Sequence, residues 1–394
     1  MYKILTLNNI SVAGLNRLPR DKYEVASEVT HPDAILLRSF KMHDMEIPKT
    51  VKGIGRAGAG VNNIPVDRMT GRGVPVFNAP GANANAVKEL VIAGMLMAIR
   101  NIIPAWKFAI GLSGADEEIQ KAVEAGKKDF RGFELPGRTL GVIGLGAIGV
   151  KVANAARALG MEVIGYDPTI TVRSAWQLDA GVKQAVSPDD LVARADFITL
   201  HIPLVEATRN KINAERINLM KPGTVILNFA RNGLVDDAEV VKALDAGQLY
   251  AYICDFPSNL LKDHPRVVTL PHLGASTIEA EENCAIMVAD EVREWLEHGN
   301  ISNSVNFPEI NLPSNGGHRI AVVNSNVPNM VGQISSELGK ESLNILDMLN
   351  RSRGDIAVTL LDVDNPPSEA LQAGLAAIDG VLSVRCLGCN RDDD

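Results

Sequence analysis

A glycine loop, one acid, one arginine and one histidine carry most of the chemistry written in this 394-residue chain. Gly144-Leu145-Gly146-Ala147-Ile148-Gly149 follows the apolar run Thr139–Ile143 and precedes a segment with apolar Val152, Ala156 and Leu159 at helical spacing. Gly144 permits a tight turn, and Gly146 lets the backbone approach a pyrophosphate. Gly149 lets the helix pack closely on the strand, and the free N–H groups around Ala147 and Ile148 face the anion. Asp167 ends the next apolar run, 18 residues beyond Gly149. A carboxylate there accepts from adenosine ribose hydroxyls and opposes a 2′-phosphate, so the pattern predicts NAD, with Arg173 the nearby cation able to reach a phosphate. Arg231 opens the loop Arg-Asn-Gly-Leu-Val-Asp after the run Val225–Asn228. A fixed planar cation with a two-pronged donor face suits a carboxylate or a 2-oxo group. His272 stands in Thr-Leu-Pro-His-Leu-Gly after another apolar run. An imidazole can take the proton from an alcohol while a hydride leaves the same carbon. His201, in Leu-His-Ile-Pro, reads either as a cofactor-side residue or as a structural histidine.

These residues need a common platform, and the middle of the chain supplies one. Strand-like runs at Thr139–Ile143, Met161–Tyr166, Phe197–Leu200, Val225–Asn228, Ala251–Cys254 and Val267–Leu270 are mostly separated by helical segments. That alternation predicts an α/β fold with a parallel, doubly wound sheet. Asp167, His201, Ala230–Arg231, Asp255 and His272 then fall at or just past strand carboxyl ends, the rim where open α/β sheets bind ligands. Residues 1 to about 98 repeat the alternation less regularly. Asn303–Gly317 is rich in Asn, Pro, Ser and Gly and reads as a linker. The remainder reads βαββαβ, the order of a ferredoxin-like module. It ends in Cys386-Leu387-Gly388-Cys389, which no second pair or nearby His completes as a zinc site, and in the acidic Asp392–Asp394.

Composition excludes several classes. Lys plus Arg number 39 against 47 Asp plus Glu, a net of −8, which argues against a general nucleic-acid or anionic-membrane binder. The longest apolar runs, such as Leu90–Ile99, fall short of the ~20 residues that a membrane span needs. The N-terminus reads as a strand without a signal-peptide layout. Four cysteines in this length make no disulfide framework, so a reducing cytoplasm is the expected setting.

With those residues laid out, the chain resembles the D-isomer-specific 2-hydroxyacid dehydrogenases, most closely their phosphoglycerate-oxidising members. The resemblance rests on Leu-Leu-Arg-Ser at 36–39, Gly-Arg-Ala-Gly-Ala-Gly-Val-Asn at 55–62, Asn-Ala-Pro-Gly-Ala-Asn at 78–83, the glycine loop, residues 231–236 and Pro-His-Leu-Gly-Ala-Ser-Thr at 271–277. It implies a Rossmann-type nucleotide domain (99–284) inserted in a flavodoxin-like substrate domain (1–98 and 285–308). A linker (309–317) and a C-terminal ACT-like regulatory module (318–394) follow. It also implies cofactor contacts at the 144–149 loop, Asp167, His201, Pro203, Thr208, Asn228, Ala230, Asp255 and Gly274. Substrate contacts are implied at Arg38, Arg56, Ala59, Gly60 and Asn83. Arg231 would orient the substrate and His272 would act as acid and base. The implied reaction is NAD-dependent oxidation of 3-phospho-D-glycerate to 3-phosphooxypyruvate, opening L-serine synthesis. Serine would be the effector, touching Asn326 and Asn344, and the assembly a homodimer or homotetramer. Asn324 and Asn329 depart from the family's effector pattern. Two rivals remain: a glyoxylate or hydroxypyruvate reductase, and a catalytically silent NAD-sensing regulator. One departure touches catalysis. Where relatives carry a Glu that pairs with the catalytic His, Asn259 or Leu260 stands here, and Asp263 is the nearest acid. The expectation is a His272 that works without a Glu partner.

Overall fold

The computed structural model describes residues 1–314 and 316–387. Cys389 of the Cys-x-x-Cys pair and Asp392–Asp394 lie outside the described residues. The chain divides into two compact units, Met1–Asn83 with Ile278–Asp394, and Ala84–Thr277.

The first unit begins with strands β1 (Tyr2–Leu7), β2 (Tyr23–Ala26), β3 (Ala34–Leu37), β4 (Gly53–Arg56) and β5 (Val76–Asn78). They form a parallel sheet in the order β2-β1-β3-β4-β5, the flavodoxin-like arrangement. Strand order reverses between β1 and β3, so Arg38, directly after β3, stands at the switch point. All four residues of β3 are buried, as expected of a parallel strand covered on both faces. The helix Ile278–His298 closes this unit. Its Trp295 is fully buried, and a glycine at 53 makes room: a Cβ there would lie 3.0 Å from the indole Cδ1. The indole Nε1 donates to the Lys52 carbonyl at 2.6 Å. The returning helix thus starts at 278 rather than near 285 and ends at 298.

The second unit holds β6 (Thr139–Ile143), β7 (Glu162–Tyr166), β8 (Lys183–Gln184), β9 (Phe197–Leu200), β10 (Thr224–Asn228), β11 (Leu249–Cys254) and β12 (Val267–Thr269). The sheet is parallel and runs β12-β11-β10-β9-β6-β7-β8, reversing between β9 and β6. The sequence boundary at 98 needs correction. The helix Ala84–Ile99 belongs here, because Val87, Val91, Met95 and Ala98 share one core with Leu140, Val142, Phe197 and Leu227.

The C-terminal module comprises β13 (His318–Ser325), β14 (Ile345–Arg353), β15 (Ile356–Val363) and β16 (Val381–Leu387), antiparallel in the order β14-β15-β13-β16. Helices Met330–Lys340 and Glu369–Ala376 complete the ferredoxin-like βαββαβ order. Ile334, Leu338, Leu371 and Leu375 from these helices pack with Ile320, Val322, Leu361 and Val363. The other sheet face, with Ala321, Val323, Val358 and Leu360, shares a core with Trp295, Phe307 and Ile310. That shared core groups the module with the first unit. The expected linker is accordingly packed: Phe307, Ile310 and Leu312 are buried, and Ile301 pairs with Ile310.

Candidate active site

The glycine loop is shaped by close approach. Gly144 has φ +95°, and a Cβ there would meet the His201 carbonyl oxygen at 2.5 Å. A Cβ on Gly149 would sit 1.9 Å from the Gly144 carbonyl oxygen, so the helix Ala147–Ala158 leaves the strand at a distance no side chain allows. Gly146, the N-cap, differs: a Cβ there meets nothing within 4 Å. The space in front of the unbonded N–H groups is therefore open, and the loop fits a bound pyrophosphate. Asp167, just past β7, accepts from the Leu145 backbone N–H at 2.8 Å and from the Thr169 N–H at 2.9 Å. It ties the glycine loop to the end of β7.

On the other side of the switch point, His201 follows β9. Its Nε2 lies 3.0 Å from the Thr199 hydroxyl, its Nδ1 is buried without a partner, and burial pushes its pKa down to about 3. Burial leaves the ring neutral, and the His201 carbonyl shapes Gly144. Thr208 donates to the Pro203 carbonyl at 2.6 Å and accepts from the Val205 N–H at 2.8 Å, tying the loop into one 3₁₀ turn.

Arg231 and His272 are fixed by buried polar residues behind them. Asn228, at the end of β10 and 1% exposed, donates to the Arg231 carbonyl at 2.9 Å and accepts from the Ala230 N–H at 3.2 Å. The Arg231 guanidinium, exposed, donates to the Ala230 carbonyl at 2.7 Å. Asp255, just past β11, is fully buried, and its two carboxylate oxygens accept from the Leu273 and Gly274 N–H groups, each at 2.8 Å. His272 N–H donates to the Asp255 carbonyl at 3.2 Å, and His272 has φ +57°. A left-handed non-glycine residue persists only where its surroundings over-determine it, and Asp255 supplies three of those restraints. The His272 ring meets the Phe256 ring edge-on, centroids 5.4 Å apart. Among the described residues no carboxylate lies within ion-pair distance of His272. Asp263 is turned to solvent, 4.0 Å from Lys262.

The residues expected to hold substrate occupy the first unit. Arg38 Nη1 lies 2.7 Å from Glu281 Oε1, and the Arg38 carbonyl accepts from Arg56 Nε at 3.0 Å. Asn78 donates to the Ala59 carbonyl, shaping the Ala59–Gly60 turn. Asn83 Oδ1 is buried without a partner. Two roles escape sequence reading: Asp255 as the clamp of the His272 backbone, and Glu281 as the carboxylate on Arg38. No spacing signals either, because each pair is separated by a change of element. In the C-terminal module Asn326 Nδ2 donates to the Gly354 carbonyl at 3.0 Å, whereas the Asn344 N–H donates to Asp364 at 3.0 Å. Asn326 follows β13 and meets the β14–β15 turn, whereas Asn344 precedes β14 at the far end of that hairpin, roughly 30 Å away at the usual strand rise. One chain does not bring them together. No group of His, Cys, Asp or Glu among the described residues has the arrangement of a metal site.

The fold and this site define a two-unit α/β protein with a dinucleotide-type glycine loop and an Arg–His pair on one sheet edge. The NAD binding domain of the D-isomer specific 2-hydroxyacid dehydrogenases matches residues 95–274. A D-3-phosphoglycerate dehydrogenase of Methanocaldococcus jannaschii is 40% identical over 298 residues, covering 73% of this chain and 54% of the relative. The chain thus spans about half the length of that relative. A D-3-phosphoglycerate dehydrogenase of Mycobacterium bovis is 35% identical over 381 residues, covering 91% of this chain and 69% of the relative. Among solved structures, the NAD+-bound 3-phosphoglycerate dehydrogenase of Entamoeba histolytica superposes with a TM-score of 0.61 at 25% identity, covering 77% of this chain and 98% of that one. The chain belongs to the D-isomer-specific 2-hydroxyacid dehydrogenase family.

Proposed function

We propose that this protein oxidises 3-phospho-D-glycerate to 3-phosphooxypyruvate with NAD, the reaction that opens L-serine synthesis. The observation that carries the reading is the Asp255 clamp: a fully buried carboxylate whose two oxygens hold the turn that keeps His272 in a left-handed backbone, on the rim that also presents Arg231. When bound, NAD supplies the hydride acceptor. The loop Gly144, Gly146, Ala147, Ile148 and Gly149 would hold its pyrophosphate, with Asp167 on the ribose side and Pro203, Thr208, Asn228, Ala230, Asp255 and Gly274 around the remainder. His272 takes the proton of the substrate's C2 hydroxyl onto a ring nitrogen. Arg231, with its two-pronged donor face, holds the carboxylate and polarises the oxygen that becomes the carbonyl. Arg38, Arg56, the Ala59–Gly60 turn and Asn83 would receive the anionic ends. His272 does this without a Glu partner, against the edge of Phe256.

The C-terminal module is read as an ACT-like effector unit for L-serine. Because Asn326 and Asn344 lie at opposite ends of the β14–β15 hairpin, a site using both takes them from two copies. A homodimer or homotetramer is the assembly that this requires, and no helix among the described residues is long and apolar enough to cross a membrane. The cytoplasm is the expected location.

Comparing kcat/KM for 3-phosphoglycerate and glycerate with NAD, and for 3-phosphooxypyruvate, glyoxylate and hydroxypyruvate with NADH, tests the substrate. A preference of at least ~10²-fold for the phosphorylated acid is expected, in the range that charge-paired recognition supplies. A preference for glyoxylate or hydroxypyruvate would make the protein a reductase of that kind instead.

A further inference from the structure

Arg38 is held in two different ways. Its backbone is fixed from behind, where the Arg38 carbonyl accepts from Arg56 Nε at 3.0 Å and from Asn63 Nδ2 at 3.2 Å. Asn63 is buried and also donates to the Phe40 carbonyl at 2.7 Å, so the turn after β3 has little freedom. The guanidinium has one ion-pair partner among the described residues. Its Nη1 lies 2.7 Å from Glu281 Oε1, and the two side chains are 36% and 45% exposed. The Arg319–Asp362 pair makes the contrast, being two-pronged and buried, a geometry that fixes structure. An exposed pair held through one nitrogen is screened by water and salt and contributes little to folding, so it can change partners.

The surroundings of Glu281 suit such a change. Glu281 lies in the first turn of the helix Ile278–His298, where the positive end of the helix dipole favours a carboxylate with or without Arg38. Cys284, three residues further along that helix, senses the same charges. Burial pushes its pKa up, Arg38 and Arg56 pull it down, and Glu281 pushes it up. Arg38, Arg56 and Glu281 are thus gathered around one buried thiol, all within the first unit.

We propose that Glu281 is a built-in competitor of the substrate: its carboxylate takes the place on Arg38 that an anionic end of the substrate takes, so that binding is an exchange of anions at Arg38. This rests on the proposed function, which supplies the substrate and makes Arg38 one of its contacts. Because Glu281 is tethered, it competes at an effective concentration of about millimolar, and a free monocarboxylate below that concentration leaves it in place. A phosphate ester is a stronger rival. It brings a charge of about −1.5 to −2 and three acceptor oxygens to a donor fork that Glu281 engages at one nitrogen only. A hydroxy acid without a second anionic end has nothing to exchange for Glu281.

Calorimetric titration of the full chain with inorganic phosphate, without NAD or substrate, tests the exchange whatever reaction the protein performs. Glu281→Gln keeps the shape of the side chain and removes its charge. It is expected to bind phosphate at least ~3-fold more tightly than the wild type, in the range that loss of an exposed ion pair supplies. The gain is expected to vanish when Arg38→Gln is added to Glu281→Gln. Equal affinity in the wild type and Glu281→Gln, no heat from either included, overturns the proposal, as does a gain that survives without Arg38. Weaker binding by Glu281→Gln also overturns it and makes Glu281 a residue that positions Arg38. In NADH assays, Glu281→Gln is further expected to raise kcat/KM for 3-phosphoglycerate ~3-fold relative to glycerate. If the phosphate result holds and this second one does not, the exchange stands and the proposed substrate falls.

Discussion

At the scale of single residues, the account turns on groups that work from behind the chemistry. Asp255 acts through both of its oxygens, which hold the strained turn that presents His272. Asp255→Ala leaves two N–H groups without their acceptor, about 1–3 kcal/mol each where buried, and releases the His272 backbone. We expect kcat to fall ~10²-fold, the low end of what acid–base catalysis supplies, with a smaller rise in the NAD Kd. An unchanged kcat would show that the clamp is idle. Glu291 makes a separate prediction. It is 7% exposed, accepts from Asn303 at 2.7 Å through one oxygen, and has no partner at the other. Burial pushes its pKa up to about 8, against the lowering effect of Asn303. Between the ordinary carboxylate range and pH 8 the folded protein keeps a proton that the unfolded chain releases, so this residue's contribution to stability is lost as pH rises through that window. Urea midpoints of Glu291→Gln should match the wild type near pH 5 and exceed it increasingly toward pH 9. A pH-independent difference would refute the assignment. Residue identities at the site were legible because Gly, Asp, Arg and His each do something few other side chains do. The clamp and the Arg38–Glu281 pair were not, since each depends on folding together segments distant in sequence.

At the scale of elements, strands and crossovers carried a clear signature, and nearly every predicted strand exists. The missed strands are β2 and β8, edge strands that carry no apolar run: β2 is of mixed burial and both residues of β8 are exposed. The glycine loop separates two effects that a motif cannot. In Gly146→Ala the new methyl meets no protein atom, so thermal stability should stay near the parent while the NAD Kd rises ~10-fold or more, because the methyl occupies the anion's approach. In Gly149→Ala the methyl would overlap the Gly144 carbonyl, so stability itself should fall by a few kcal/mol, in the range of about 1–3 for overpacking. Equal behaviour of the two variants in thermal melts and NAD titration would contradict the geometry.

At the scale of the whole molecule, domain limits were the weakest part of the sequence reading. Helix Ala84–Ile99 is apolar enough to join either neighbour, and only its packing on Leu140, Val142 and Phe197 assigns it to the nucleotide unit. The segment rich in Asn and Pro looked like a tether, but Phe307, Ile310 and Leu312 anchor it. The proposed assembly also has a visible face. Ile102, Trp106 and Ile110 recur every four residues on one helix and are 44%, 58% and 63% exposed. Trp106→Glu should therefore lower the sedimentation-derived mass of the assembly, and an unchanged mass would leave the C-terminal modules as its interface. The most direct test of the central claim is single-turnover NADH formation from 3-phosphoglycerate by the wild type and His272→Ala, with NAD binding measured in parallel. The account predicts a full burst for the wild type and a rate lower by ~10²-fold or more for the variant, at nearly unchanged NAD affinity. A wild type that binds NAD yet forms no NADH, or a variant as fast as its parent, would contradict it.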